Sequence, residues 1–470
     1  MSTIDWQKEV ESRKEAFLED LKGLLRIPSV RDDSKKTDDA PFGPDVKRAL
    51  DYMLELGDKD GFTTKEVGHV AGHVEYGDGE EIVGVLGHVD VVPVGDGWSN
   101  DPFEPVLKDG KLYARGVADD KGPTIAGYYA LKIIKELGLP ISRRIRVIIG
   151  SDEESGMSCV ERYFETEPQP TLGFVPDAEF PIIHAEKGIS ELDVAFQTGE
   201  QTDDADFRLV SLASGARYNM VPDHADAVLS DVKDNEALNK AFRTFLADHD
   251  VEGMIANNED TVTISVVGKS AHAMEPNNGI NAGLHLVAFL GQFKLSGAAA
   301  NFVAFGRDYL FGDSRAVKLG ISFEDEESGE LTMNVGIIRF TPEDGGKYGL
   351  NFRYPVTAKM DDLKNKMETV VLEYSGSYSH YDDSEPLFVP KDHPLIKTLQ
   401  EVYTKQTGEE ANLLAIGGGT YARHLETGVA FGALFPGRED TMHQKDEFSY
   451  LEDLLKATAI YAEALYKLAE

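Results

Sequence analysis

The sequence predicts an α/β fold, a mixed sheet with flanking helices that is interrupted by a large α+β insertion. Three observations carry this expectation. Short Val- and Ile-rich runs bounded by Gly or Pro recur in the first half of the chain, as buried strands do. A helical stretch separates the first two of them, which is the succession an α/β sheet requires. The middle third then changes character, with alternating segments replacing the unbroken apolar ones. At 470 residues the chain exceeds the usual reach of one hydrophobic core, so two domains are expected.

Taken in order, Ile4, Trp6, Val10, Phe17, Leu21 and Leu24/Leu25 recur at roughly helical spacing. Met1 to Leu25 therefore reads as a docked amphipathic helix, and its scattered charges argue against a signal peptide. The run Ile82 to Leu86 leads into Gly87-His88-Val89-Asp90. Ile145 to Ile149 leads into Gly150-Ser151-Asp152-Glu153-Glu154, and Leu172 to Val175 into Pro176-Asp177. Gly122 to Leu137 is the intervening helix, with Pro123 suited to its first turn. Val429 to Leu434 repeats the strand pattern ahead of Arg438, Glu439, Asp440 and His443, and Leu451 to Leu468 reads as a closing helix. Within the insertion, Thr261 to Val267 and Leu331 to Phe340 read as strands, and Ala282 to Phe293 and Asp361 to Tyr374 as helices. The expected division is residues 1–185 and 386–470 as two parts of one sheet domain, with 186–385 inserted between them.

A net charge of −36 disfavours nucleic acid and anionic membranes as partners, and no basic stripe or zinc-finger spacing appears. No apolar run approaches the ~18 residues that would span a bilayer. The single cysteine, Cys159, cannot form an internal disulfide, which fits a reducing compartment, so a cytoplasmic location is expected.

The chemistry-bearing residues gather at strand ends. His88 and Asp90 alone would read as a solvated loop, and Glu153-Glu154 as adjacent surface acids. Asp119-Asp120 would read as a helix amino terminus with capping acids, Asp177 as a turn residue and His443 as a surface histidine. Together the reading reverses. Two histidines and three or four carboxylates arrive at the same end of one inferred sheet, where open α/β sheets place their ligands. Such mixed nitrogen and oxygen donors suit zinc, with manganese or cobalt as alternatives. A carboxylate reaching two metals about 3.5–4 Å apart would provide the two-metal clamp used in hydrolysis. His88 would then be a ligand and Asp90 the carboxylate that fixes its tautomer. Of Glu153 and Glu154, one could ligate while its neighbour takes a proton from bound water.

The segments Gly87-His88-Val89-Asp90-Val91-Val92-Pro93, Arg115 to Pro123, Ser151-Asp152-Glu153-Glu154-Ser155-Gly156 and Pro176-Asp177 appear in that order. Ser270-Ala271-His272, Asn351 to Pro355, Gly417-Gly418-Gly419-Thr420 and Met442-His443 follow them. In these motifs the chain resembles the M20 metallopeptidases, and within them the bacterial dipeptidase V and Xaa-His (carnosinase-like) dipeptidases. Ala40 to Pro44, otherwise a loop, matches the same group. The resemblance implies a zinc-peptidase-like sheet whose insertion is a lid, and two zinc ions bridged by Asp119. His88 and Asp177 would complete one site, and Glu154 and His443 the other. It also implies Glu153 as general base, Asp90 as partner of His88 and a cis peptide between Asp119 and Asp120.

From the lid, the resemblance nominates His272 as an oxyanion donor, Asn219 as a substrate contact and Arg353 as the group that binds a substrate carboxylate. Gly418, Gly419 and Thr420 lack the spacing of a phosphate loop and instead resemble a backbone surface for substrate. Aspartate at 177 is similar to aminopeptidases and dipeptidases of the family, whereas glutamate there marks carboxypeptidases and deacylases. The expected activity is hydrolysis of dipeptides with free amino and carboxyl ends, broad enough to include Xaa-His and β-alanyl dipeptides. An insertion of roughly 200 residues would let one chain supply His272 to itself, so a monomer is expected. The alternatives are an N-acyl amino acid deacylase or desuccinylase on the same scaffold, which Asp177 opposes, and a non-catalytic metal-binding protein, which Glu153 opposes.

Overall fold

The computed structural model describes residues 4–199, 201, 202 and 204–470. The chain divides into two compact units, one of residues 1–185, 387–415 and 419–470, the other of 186–386 and 416–418.

The first unit is built on a nine-stranded sheet. Its order is Thr63–Val67, Ala71–Tyr76, Arg144–Gly150, Ile82–His88, Leu172–Val175, Gly428–Ala430, Ile182–Glu186 and Leu387–Phe388, with Leu413–Ile416 also paired to Ile182–Glu186. Four neighbouring strands, from Arg144–Gly150 to Gly428–Ala430, run parallel. All seven residues of Ile82–His88 are buried, as expected of a parallel strand covered on both faces. Side chains alternate between two cores. Val83, Val85, Ile145, Val147 and Ile149 join the larger one with helices Lys14–Leu25, Lys121–Glu136 and Leu451–Ala469. Leu86, Ile148 and Val175 face a smaller one with helix Ser158–Phe164.

The topology sets where a ligand can bind. Ile82–His88 is flanked by Arg144–Gly150 on one side and Leu172–Val175 on the other, so the winding reverses at this strand. The crevice at the carboxyl ends of such strands is the preferred ligand position. His88 pairs in register with Gly150, so these two strand ends lie side by side.

Two expectations need correction. The amino-terminal helix is broken into Trp6–Glu11 and Lys14–Leu25, and Met1 to Thr3 lie outside the described residues. The Ser12 hydroxyl and the Arg13 guanidinium both donate to the Glu9 carbonyl, at 2.8 and 2.7 Å, which ends the first helix. The run from Val429 to Leu434 is not one strand either. Gly428–Ala430 belongs to the main sheet, while Ala433–Leu434 pairs with Ala178–Glu179. Gly432 between them has φ +80°, and a Cβ there would strike the Phe180 ring at 2.3 Å. Only glycine fits that step.

The second unit carries an eight-stranded antiparallel sheet with its own core. Its order is Glu252–Asn257, Thr261–Val267, His224–Ser230, Arg208–Ser214, Thr332–Thr341, Gly345–Tyr354, Gly188–Phe196 and Gly376–Ser384. The two halves repeat one arrangement. In each, a hairpin is followed by a helix (Asn235–His249 or Met360–Glu373) and then by the outermost strand. A fourth strand fills the gap between hairpin and edge. The halves meet where Leu212, Ala213 and Ser214 pair antiparallel with Phe340, Arg339 and Ile338.

Candidate metal centre

His88 is the last residue of its strand and its side chain is fully buried, so its ring nitrogens must find partners inside the first unit. Nδ1 lies 3.0 Å from the Asp90 carbonyl and 3.3 Å from Asp90 Oδ1. Nε2 faces Asp119 Oδ1 at 3.0 Å and Asp177 Oδ2 at 3.7 Å. The strand end is itself held. Asp120 Oδ2 accepts from the His88 N–H at 3.1 Å and from the Thr124 hydroxyl at 2.9 Å. A Cβ on Gly87 would meet that hydroxyl at 2.2 Å, so glycine lets helix and strand end approach.

Asp119 follows the Arg115–Ala118 turn and precedes helix Lys121–Glu136, and its peptide to Asp120 is cis. Its second oxygen, Oδ2, lies 2.9 Å from His443 Nε2. The same His443 nitrogen is 3.2 Å from Glu154 Oε1. His443 has φ +61°, an uncommon conformation for a non-glycine residue, and 54% of its side chain is exposed. It therefore stands at the open side of the cluster, opposite the buried His88.

Asp90 serves two elements at once. Besides facing His88, it accepts the Glu153 N–H on Oδ1 and the Glu154 N–H on Oδ2, both at 3.2 Å. The acidic turn is anchored by the buried Asp152, which takes Arg31 Nη1 at 2.6 Å and the Ser158 hydroxyl at 2.6 Å. Donor atoms of His88, Glu153 and Asp177 lie within 4.8 Å of one another, as do those of His88, Asp119 and Glu154.

The electrostatics of this cluster call for positive charge. Burial and then the neighbouring Asp177 push the Glu153 carboxyl well above its ordinary range. Burial and Asp119 raise Asp177 to about 7, and the same two causes raise Glu154. Asp119 itself is held down, because the two histidines outweigh its burial. Asp119 and Glu154 raise His443 to about 11. For His88, burial opposes protonation, but Asp119, Asp177 and Asp90 together overcome it. If the Nδ1 proton of His88 goes to Asp90, Nε2 presents a lone pair to two carboxylates. Acceptors facing acceptors at 3.0 Å need a proton or a cation between them. Mixed imidazole and carboxylate donors of this kind fit a divalent transition metal.

Seven of the predicted site residues therefore come together in the first unit: His88, Asp90, Asp119, Glu153, Glu154, Asp177 and His443. Thr420 is also in that unit, buried, with its hydroxyl accepting the Ala422 N–H at 3.1 Å to cap the short 421–424 helix. Gly419 precedes it, and a Cβ there would meet Arg423 Nε at 2.5 Å.

Asn219, His272, Arg353 and Gly418 belong to the second unit. The Asn219 carbonyl accepts the Ala273 N–H at 2.9 Å, and Met220 bridges to His272, so these two predicted residues lie on adjoining segments. His272 Nδ1 accepts the Met274 N–H at 3.2 Å, which places the neutral ring's proton on Nε2. Arg353 is buried, donating to Asn351 Oδ1 at 2.9 Å and to the Gly417 carbonyl at 3.0 Å. Sequence reasoning took Asp120 only for a capping acid and assigned no role to Thr124 and Glu447, all three of which hold backbone beside the site residues. Asp120 lies within the Arg115 to Pro123 segment, Thr124 one residue after it, and Glu447 four residues after His443.

A model of peptidase family M20/M25/M40 matches residues 84–467. A Bacillus subtilis (strain 168) protein named "Putative dipeptidase YtjP" is 50% identical over 467 residues, covering 99% of this chain and 100% of the relative. A Staphylococcus saprophyticus protein named "Putative dipeptidase SSP1012" is 47% identical over 465 residues, covering 98% of this chain and 99% of its own. Among solved structures, human carnosine dipeptidase 1 matches with TM-score 0.57 at 14% identity, covering 99% of this chain and 98% of that one. Aminoacylhistidine dipeptidase from Vibrio alginolyticus matches with TM-score 0.58 at 14% identity, covering 97% and 96%. These two structures speak to the fold.

Proposed function

Because the chain belongs to peptidase family M20/M25/M40, a family of metal-dependent peptidases, we propose that it is a dipeptidase working with two divalent cations, zinc first among them, with manganese or cobalt as substitutes. The observation that carries this reading is the position of Asp119, whose two oxygens face His88 and His443 at 3.0 and 2.9 Å. One carboxylate between two histidines is what a bridged pair of cations needs. His88 and Asp177 would hold one cation with Asp119, and Glu154 and His443 the other. When bound, the pair would supply Lewis-acid activation of a water and of the peptide carbonyl.

The chain's own residues do the rest. Asp90 accepts the Nδ1 proton of His88 and so fixes the ring's tautomer. Glu153, whose carboxyl is pushed upward by burial and by Asp177, takes a proton from the attacking water. It then delivers that proton to the nitrogen of the leaving amine. His272, with its ring proton on Nε2, donates to the oxyanion. Arg353 receives the substrate carboxylate, Asn219 contacts the substrate, and the Gly418–Thr420 backbone lies along it.

The proposed substrates are dipeptides with both ends free, Xaa-His and β-alanyl dipeptides among them. The names of close relatives support dipeptide cleavage. We propose a cytoplasmic monomer. The monomer is supported by the eight-stranded sheet, in which two similar halves pair within one chain, and the compartment by the single cysteine, Cys159.

The test is a panel of dipeptides, tripeptides, a dipeptide amide and an acetylated amino acid, assayed with the zinc-loaded enzyme and with Arg353→Ala. The free dipeptide should be hydrolysed best, and Arg353→Ala should lose more on it than on its amide. Faster turnover of the acetylated amino acid would move the activity to the deacylases.

A further inference from the structure

We infer that Glu447 is a positioning residue for the Asp119 carboxylate, an inference that rests on the two-cation reading above. Glu447 is fully buried, immediately before the Phe448–Tyr450 strand. Its Oε2 accepts the Gly116 N–H at 3.0 Å and Arg115 Nη1 at 2.7 Å. Its Oε1 accepts the Ala118 N–H at 2.8 Å and the Asp119 N–H at 3.3 Å. Three backbone donors of the 116–119 turn thus end on one carboxylate, while the fourth, Val117 N–H, goes to the Ala114 carbonyl at 3.3 Å. Gly116 takes φ +87°, which lets the turn close around the carboxylate as backbone amides close around an anion.

The consequence for the centre is geometric. The direction in which Asp119 sends its side chain depends on the backbone of this turn. The same short segment that carries Glu447 also carries His443, whose Nε2 lies 2.9 Å from Asp119 Oδ2. His443 and Glu447 therefore hold Asp119 at both ends, by the carboxylate and by the backbone. The cradle is specific for a carboxylate, because each oxygen faces donors only. A glutamine of the same shape would have to aim its NH2 at Gly116 and Arg115, or at Ala118 and Asp119. A side chain that merely filled space would tolerate that exchange, whereas a positioning carboxylate cannot.

The experiment compares full-length wild type, Glu447→Gln, Glu447→Asp and Lys445→Ala, the last an exposed residue of the same segment serving as control. Zinc affinity is measured by chelator competition without substrate, and kcat and KM on a dipeptide at saturating zinc. Glu447→Gln should bind zinc roughly 10–100-fold more weakly, with kcat reduced and KM kept, while Lys445→Ala behaves as wild type. If Glu447→Gln does not yield folded protein, Glu447→Asp decides. It keeps both acceptors but withdraws them by one methylene, so its zinc affinity should fall and its kcat at saturating zinc should lie below that of wild type. Wild-type zinc affinity and kcat in whichever of these variants folds would overturn the inference. A wild-type protein that binds no zinc would instead sink the two-cation reading, before any variant is compared.

Discussion

His88 and His443 meet one carboxylate from opposite sides. The Nε2 of His88 is 3.0 Å from Asp119 Oδ1, and the Nε2 of His443 is 2.9 Å from Asp119 Oδ2. The two histidines differ in surroundings, since His88 is fully buried and 54% of the His443 side chain is exposed. One side of the cluster is thus fixed by packing and the other is open to an incoming group. That asymmetry suits a centre that must hold a metal and still admit substrate.

Asp90 couples the buried histidine to the acidic turn, so its removal should be felt in both places. In Asp90→Asn, one oxygen that now accepts from a Glu153 or Glu154 amide, at 3.2 Å, becomes an NH2 group facing another donor. We expect kcat/KM and zinc affinity to fall roughly 10–100-fold with the fold intact. Steady-state kinetics and chelator competition check this, and wild-type values in both would exclude the coupling.

Glu153 and Glu154 adjoin in sequence yet should fail differently. Glu153→Ala removes the proposed proton carrier and is expected to lose about 10²–10⁴ in kcat while keeping its metal. Glu154→Ala removes a proposed ligand, so metal should be lost on dialysis and activity should return in part with excess zinc. Elemental analysis of dialysed protein beside the kinetics separates them. Identical metal loss in the two variants would contradict the assignment.

A pH effect on stability should arise away from the centre, at His73. This side chain is buried, with Nδ1 taking the Tyr163 hydroxyl at 2.7 Å. Burial first, then Arg146, Lys65 and Arg144, lower it from 6.5 to about 3. Above 6.5 His73 is neutral whether folded or unfolded. Between 6.5 and about 3 the unfolded chain takes up a proton that the folded chain refuses. Stability is therefore lost as the pH falls, by at most ~1.4 kcal/mol per pH unit for one proton. Urea unfolding of the metal-free protein at pH 7, 6 and 5 should show a shallower loss in His73→Gln. Equal slopes would count against it.

Most of the first unit could be read in the sequence because its strands are unbroken apolar runs that end on charged turns. His88, Glu153, Glu154 and Asp177 were visible for that reason, each lying within a few residues of a strand end. His443 was less visible, since twelve residues separate it from the Gly428–Ala430 strand. The breaks at Ser12 and Gly432 were not foreseen. The first depends on side chains bonding back to the Glu9 carbonyl, and the second on the room taken by the Phe180 ring. Glu447 left no signal beyond its nearness to His443, because its partners are Arg115 and backbone N–H groups of a turn far earlier in the chain. Arg353 was recognisable as a charge between Phe352 and Tyr354, with Asn351 on the same strand face, but nothing local pointed to the Gly417 carbonyl as its other partner.

Whether two cations share Asp119 is decided by counting metal. Full-length wild type and Asp119→Ala are saturated with zinc, dialysed and analysed for zinc per folded chain. Two zinc ions per chain are expected for wild type and one or none for the variant. Wild type saturating at a single zinc, or Asp119→Ala retaining two with undiminished affinity, would contradict a shared Asp119.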